Sequence, residues 1–406
     1  MPFTLTPQND RPWQKPAEWW PRLASATAGA EPPFGVIAVE ALAANAHDML
    51  ARAQGTTIRV ASKSVRVRGV LDAVLALPGY HGILAYTLPE ALWLAETHDD
   101  VVVGYPSVDR VAIAQLGADE RLASRVTVMV DSLAQLDVID AVVPPSQRAV
   151  IRVCLELDAS YRNPLLGHVG VRRSPVRSAA DAEALAAAIV KRAGFRLVGM
   201  MAYEAQIAGV GNRGAGKVAI RMMQKASANE LRERRGAAVA AVRKVAELEF
   251  VNGGGTGSLE STHADSSVTE IAAGSGLFGP LLFDGYEHFR PAPAASFAMS
   301  VVRRPTPEIA TVLGGGWIAS GPAGEDRLPR PVWPEGLSYL PREAAGEVQS
   351  PVTGDAARGL AVGDRVWFRH VKAGELSEHL NEFLLVEGGS VVGSIPSYRG
   401  EGKAFL

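Results

Sequence analysis

Eight short apolar runs recur up to about residue 280, most of them followed by a stretch of helical pattern, and this alternation restricts the chain to a parallel sheet with helical crossovers. The runs are Thr57–Lys63, Gly82–Thr87, Val101–Pro106, Arg125–Asp131, Ala149–Asp158, Phe195–Tyr203, Glu249–Gly257 and Thr269–Ser275. Most are β-branched and apolar on both faces, the pattern of strands buried between two layers. Eight is the number that closes a TIM barrel. A doubly wound open sheet would normally need fewer strands and a glycine-rich turn after the first, whereas the first turn here is Lys63-Ser64. An earlier run, Gly35–Glu40, leads into an Ala/Leu-rich helix ending near Ala53. Further helical patterns cover Asp181–Arg192 and Lys217–Leu248.

The pattern changes near Pro291. Short strand candidates follow at Ser296–Arg303, Ile309–Leu313, Arg365–His370, Glu382–Val386 and Ser390–Ile395, the last two flanking a hairpin turn at Glu387-Gly388-Gly389. Five prolines in Pro322–Pro341 mark an irregular connector. The expected fold class is therefore α/β: a TIM-type (β/α)8 barrel plus a C-terminal β domain. The expected divisions are an N-terminal arm at 1–34, the barrel at 35–290 and the β domain at 291–406, with the strand at 35–40 as an alternative member of the last. Trp13, Trp19 and Trp20 in the arm either pack on the body or a second subunit, or ride on a surface tether.

Composition closes off several function classes. Lys plus Arg number 41 against 43 Asp plus Glu, for a net charge of −2, so no charge surplus points to nucleic acid or an anionic membrane. No apolar stretch reaches the ~18 residues of a membrane span. Residues 1–33 hold seven prolines and no apolar core of a signal peptide. Cys154 is the single cysteine, which rules out an intrachain disulfide and fits the cytoplasm. It lies inside an apolar run and reads as core.

The chemistry gathers at the strand ends. In this fold the carboxyl ends of the strands face the active site, and Lys63 ends the first run. A lysine amine there condenses with a carbonyl if burial or a nearby cation lowers its pKa; taken alone, such a lysine is more often a solvated surface residue. Asn252–Gly257 (NGGGTG) ends the seventh run and Ala273–Gly276 (AGSG) the eighth. The loops after these two strands are where TIM barrels commonly hold phosphate. Glycine lets backbone amides approach an anion, while Thr256 and Ser275 offer hydroxyls. One glycine cluster is usually a turn. Two at these strands, with a lysine across the mouth, point to a phosphate-bearing aldehyde held as a Schiff base.

At this point the chain resembles the D-threonine aldolase and D-serine dehydratase group of the alanine racemase-type barrel enzymes. The resemblance runs from about Gly35 to Gly400. It is carried by RVASKSVR around Lys63, LELDASYRN around Arg162, GMMAY ending at Tyr203, NGGGTGS, EIAAGSGLF from Glu270 and the triplet His379-Leu380-Asn381. It implies a barrel of the alanine racemase N-terminal type, pyridoxal 5′-phosphate (PLP) on Lys63, phosphate at Gly254, Gly255, Thr256, Gly274 and Ser275, and a homodimer with its site near the subunit contact. It also implies that Arg162 lies close to the cofactor, where an arginine facing the pyridine nitrogen would weaken the ring as an electron sink. Tyr203 would contact the ring or its 3′-oxygen. The plain alternatives are a surface arginine and an aromatic wall residue.

Two departures stand out. Relatives often carry histidine two positions before the lysine, where this chain has Ala61. Relatives also bind a divalent metal through a His-x-Asp or His-x-Cys pair, which here is His379 and Asn381. A neutral amide does not support a thiolate-closed Zn²⁺ site, which leaves a hard ion such as Mg²⁺, Mn²⁺ or Ca²⁺, with Glu378 or Glu382 assisting, or a structural histidine and no ion.

The expected reaction is aldol cleavage of a β-hydroxy-α-amino acid, D-threonine-like, to glycine and an aldehyde, with His379 handling the hydroxyl proton alone or through a metal-bound water. The rivals are dehydration to a keto acid and ammonia, racemisation (for which Tyr339 and Tyr398 are available), and a non-catalytic PLP carrier. The domain after residue 291 argues against the last.

Overall fold

Seven of the eight runs contain a strand, the second overlaps one that starts at Tyr80, and the strands close on themselves. The computed structural model describes residues 3–372 and 374–406. The strands, numbered first to eighth, are Thr57–Ala61, Tyr80–Ala85, Val101–Val103, Val126–Val130, Ile151–Glu156, Phe195–Ala202, Phe250–Gly253 and Glu270–Ala273. Each pairs parallel with the next. The eighth returns to the first in the register Glu270↔Thr57 to Ala273↔Val60 and closes the barrel. The ladders stop short of the runs seen in the sequence: Lys63, Tyr105, Tyr203 and Thr256 all lie just past a strand end, where the chain turns out of the sheet at the barrel mouth.

The chain divides into two units. One is the barrel, made of Met49–Lys63, Leu75–Gly274 and Phe405–Leu406; the other gathers Met1–Asp48, Ser64–Val74 and Ser275–Ala404. The expected divisions at 34/35 and 290/291 both fall inside the second unit.

In the barrel unit, a buried cluster of Val102, Met129, Cys154, Val198, Met201 and Phe250 draws on five strands. Cys154 is core, and burial pushes its thiol well above the usual range. Arg59 is buried on the first strand but paired on two sides, at 2.7 Å with Glu270 and 2.8 Å with Asp100, which offsets its desolvation. The crossover helices begin on side-chain caps. The Thr87 hydroxyl accepts from the Glu90 amide at 3.3 Å, the Asp109 carboxylate from Ala112 at 3.0 Å and the Ser178 hydroxyl from Asp181 at 3.1 Å, each contributing about 1 kcal/mol. The polar stretch at 217–248 is a helix over Val218–Val242 that turns Ser227, Leu231, Arg235, Ala238 and Val242 inward, a spacing of three and four residues.

The second unit is built on a nine-stranded sheet. Phe34–Ala38 lies in its interior, antiparallel to Ala295–Thr306 and parallel to Glu382–Glu387. All five of its residues are buried, as a strand between two neighbours requires. Glu382–Glu387 and Ser390–Pro396 form the expected hairpin, with Gly388 at φ +61 and Gly389 at φ +82, the left-handed pair that a two-residue turn of this hand requires. The proline-rich connector holds two strands that the sequence hides, Arg330–Trp333 and Ser338–Tyr339. Arg330–Trp333 pairs on one side only, with Arg365–Arg369, so Pro331 breaks no ladder. The N-terminal segment carries a helix over Pro16–Ala26 that buries Trp19 and Trp20, with Trp20 6.3 Å from Trp367. Those two tryptophans are part of this unit's core and do not ride on a tether. Tyr398 is buried as well, and its amide is bonded to the Arg66 carbonyl. No helix among the described residues is long and apolar enough to cross a membrane.

Candidate active site

The first strand ends at Ala61, and Lys63 sits in the 3-10 turn Ser62–Ser64 that follows. The Ser62 hydroxyl donates to the Leu84 carbonyl at 3.1 Å and ties this turn to the second strand. Lys63 is half-buried, with its Nζ 3.4 Å from the hydroxyl of Tyr105, two residues beyond the third strand. Arg173 comes from the long segment after the fifth strand. Its guanidinium carbon lies 5.1 Å from the centre of the Tyr105 ring and 5.0 Å from that of Tyr203, a cation between two aromatic faces. Lys63, Tyr105 and Tyr203, each just past a strand end, and Arg173 from the long segment after the fifth strand thus form one connected cluster.

The two tyrosines differ in acidity. Burial pushes the Tyr105 phenol up, but Lys63 and Arg173, by charge and hydrogen bonding, outweigh it and hold it below the ordinary value. Burial pushes Tyr203 up, and Arg173 only partly offsets the effect. Glu156 ends the fifth strand, almost wholly buried. Burial lifts its carboxyl to about 7; Arg173 opposes this, while Asp131 and Asp158 add to it.

The glycine loops reach this cluster from two sides. A side chain on Gly274, past the eighth strand, would bring its Cβ 2.4 Å from the Ala61 carbonyl oxygen. The backbones after the eighth strand and before Lys63 are therefore in direct contact, which only glycine permits. A Cβ on Gly255 would lie 2.9 Å from that of Ala208 and 3.4 Å from the Tyr203 ring. Gly254 adopts φ +78, and its amide donates to Glu204 Oε2 at 2.9 Å. The Gly255 amide donates to Ser258 Oγ at 3.2 Å, and the Thr256 carbonyl accepts from Arg52 at 2.7 Å. Gly254 thus shapes the loop, with its own amide already committed to a carboxylate. Ser275 follows Gly274 directly in the chain and lies within the second unit.

Arg162 is placed differently from Arg173. It sits on a small hairpin, Tyr161–Asn163 against Gly167–Val169, with its side chain 61% exposed and its guanidinium 3.7 Å from Asp158. The cation beside the Lys63 cluster is Arg173. The length of the segment after the fifth strand was its only sequence signal, since long connections in compact domains tend to be functional.

In the second unit, His379 follows the short helix Glu375–Glu378 and stacks flat on Trp317, with ring centres 4.9 Å apart and planes 2° apart. Burial and Arg399 hold its imidazole below the ordinary value, with Glu378 and Glu375 opposing. Asn381 is exposed, and its carbonyl accepts from the Ser397 amide at 2.9 Å. Among the described residues no group of three or more His, Cys, Asp or Glu side chains is arranged to hold a metal ion. One imidazole and one neutral amide offer a divalent ion little charge stabilisation.

The model of the alanine racemase N-terminal domain matches residues 37–281, more than half of the chain. The chain belongs to that family. Among solved structures of the same architecture, the D-threonine aldolase from Filomicrobium marinum superposes with a TM-score of 0.78 at 20% identity, covering 93% of this chain and 97% of that one. D-threo-3-hydroxyaspartate dehydratase from Delftia sp. HT23 gives 0.71 at 21%, covering 90% and 97%. The alanine racemase from Corynebacterium glutamicum gives 0.54 at 17%, covering 83% and 90%. No curated protein matches the chain in sequence. At these identities the likeness establishes the fold, an alanine racemase-type barrel with a C-terminal sheet. PLP is the cofactor expected of this family. The barrel residues fit it: an amine at the end of the first strand, a cation between two phenols, and two side-chain-free loops that pack on Ala61 and Tyr203.

Proposed function

We propose that this protein is a PLP-dependent carbon–carbon lyase that cleaves a D-threonine-like β-hydroxy-α-amino acid to glycine and an aldehyde. The observation that carries the reading is the cavity beside Lys63, of about 510 Å³, walled by Leu88, Pro89, Pro106, Val108 and Phe405. Phe405 packs on Trp93 with ring centres 5.6 Å apart. Among the described residues lining this cavity Lys63 is the one cation, and Asp109 contributes a carboxylate. An uncharged β-substituent suits such walls. Tyr86, Thr87, Tyr105 and Ser107 complete the lining, and a second carboxylate, as in a hydroxyaspartate, would be repelled by Asp109.

The chemistry that bound PLP supplies is an electron sink for the pair released as the Cα–Cβ bond breaks. Lys63 would hold the cofactor through its amine. Arg173 keeps Tyr105 and Tyr203 in fixed orientation around that amine. Gly254, Gly255, Thr256, Gly274 and Ser275 leave room for a phosphate, and Glu204 holds the first of these loops in shape. Glu156, titrating near neutrality, can hold or release a proton at the barrel mouth. In this reading the enzyme acts on free amino acids as a cytoplasmic homodimer, supported by the lone buried cysteine and the resemblance to dimeric barrels.

The test is a product assay on D- and L-β-hydroxy amino acids, scoring aldehyde plus glycine against keto acid plus ammonia. Threonine and phenylserine are expected to give aldehyde with the D-configuration at Cα. Keto acid as the main product would assign the dehydratase reaction instead, and racemised substrate the racemase. Lys63→Ala should lose both turnover and the lysine-linked cofactor band near ~420 nm that borohydride abolishes. Retention of that band would sink the reading.

A further inference from the structure

Tyr105 is not among the residues picked out by the sequence, yet its hydroxyl lies beside the amine of Lys63, at 3.4 Å. The Lys63 Nζ also lies 5.9 Å from the centre of its ring. Arg173, from the long segment after the fifth strand, lies over the same ring, 5.1 Å from its centre. A phenol beside two cations loses its proton more readily than an ordinary one, because the phenolate is attracted by both. The other titratable groups around it are Tyr203, which shares the Arg173 cation, and Tyr86 and Asp109, which line the same cavity. Tyr203 is shifted the opposite way, so of the two phenols that flank Arg173 it is Tyr105 that gives up its proton first.

A lysine amine attacks a carbonyl only as the free base, and in water near neutral pH almost all lysine is ammonium. We propose that Tyr105 is the base that takes the ammonium proton of Lys63, delivering Lys63 as the free amine that captures an aldehyde. The step is a single proton transfer. An N–H bond of Lys63 breaks, its electron pair stays on Nζ, and an O–H bond forms on the Tyr105 phenolate. Arg173 lies over the same ring and, with Lys63, favours the ionised form of the phenol. The inference rests on the reading of Lys63 as the condensing amine, but it concerns the step before any substrate chemistry.

The test uses the full chain with Tyr105→Phe, which keeps the ring beneath Arg173 and removes only the hydroxyl. Two measurements are made. The first is the near-ultraviolet phenolate titration of wild type minus variant, without cofactor. It should show one phenol ionising below the ~10 of free tyrosine, and Arg173→Gln should move that titration upward. The second is the rate of PLP capture by stopped-flow absorbance across pH. The variant should be slower by ~10²-fold near neutrality, with its rate climbing to higher pH before levelling, as expected when solvent replaces a positioned base. A difference titration at or above free tyrosine, or a variant that captures PLP with the wild-type rate and pH profile, overturns the proposal. If wild type captures no PLP at all, the cofactor reading fails, and the phenolate titration still decides the state of Tyr105.

Discussion

The carboxylate of Glu204 accepts the amide of Gly254 at 2.9 Å, so a residue two positions past the sixth strand sets the shape of the glycine loop past the seventh. The same buried carboxylate accepts from the Thr262 hydroxyl at 2.7 Å and pairs with Arg235 at 3.4 Å. Glu204→Ala would leave an amide and a hydroxyl short of a partner, and Arg235 without one of its two carboxylates. It should destabilise the protein by ~3 kcal/mol or more, read as a lowered urea midpoint. Glu204→Gln keeps the shape and should lose less. A Glu204→Ala protein as stable as wild type would remove Glu204 from this role.

Gly255→Val tests the loop without touching the reaction. A branched side chain there meets Ala208 and the Tyr203 ring at distances that force the loop outward. PLP affinity, followed by fluorescence titration, should fall ~10-fold or more while the circular dichroism spectrum stays native. Equal affinity would put the phosphate elsewhere.

Arg173 and Arg162 are separable by substitution. Arg173→Gln removes the cation between two aromatic faces and should weaken PLP binding and shift the bound absorbance spectrum, because Tyr105 and Tyr203 lose their common neighbour. Arg162→Gln removes a mostly exposed group with a long ion pair and should change stability by under ~1 kcal/mol. Reversed outcomes would return the cofactor contact to Arg162.

His370 makes stability depend on acid. Burial, and then the neighbouring Arg369, lower its imidazole to about 3. The unfolded chain takes up a proton near pH ~6.5 that the folded one refuses. Its contribution is therefore full above ~6.5 and is lost as pH falls toward the folded value, at up to ~1.4 kcal/mol per pH unit. Thermal melts between pH 7 and 4 should show a shallower decline for His370→Leu than for wild type. Parallel declines would show that His370 charges without unfolding.

The pair His379 and Asn381 predicts weak metal affinity. Calorimetric titration with Mn²⁺ should detect little or no binding to wild type, and Asn381→Asp, by supplying an anionic oxygen, should tighten it ~10-fold or more. Identical traces for wild type, Asn381→Asp and His379→Gln would show that this pair does not hold metal at all.

The barrel was legible because its strands are buried on both faces and so read as continuous apolar runs. Lys63 and the two glycine clusters were legible because they end those runs. The same rule applied further along would have singled out Tyr105 and Glu156, near the ends of the third and fifth runs; a tyrosine or glutamate there lacks the reactivity that draws the eye to a lysine. Arg173 was beyond reach, since its place over Tyr105 depends on the path of a long segment with no period. The strands at 330–333 and 338–339 were masked by prolines that an edge tolerates.

The strand Phe34–Ala38 is made early, yet both of its neighbours, Ala295–Thr306 and Glu382–Glu387, are made more than 250 residues later. During synthesis it must wait, its five apolar residues unsheltered, while the eight strands of the barrel emerge in sequence, each able to pair with the one before. A chain stalled or cut near residue 290 would carry an orphan strand with nothing to lie against, a ready template for aggregation. A fragment beginning there would carry a sheet split at its interior. Neither piece should behave as a module, although a line drawn through the sequence at that point looks natural.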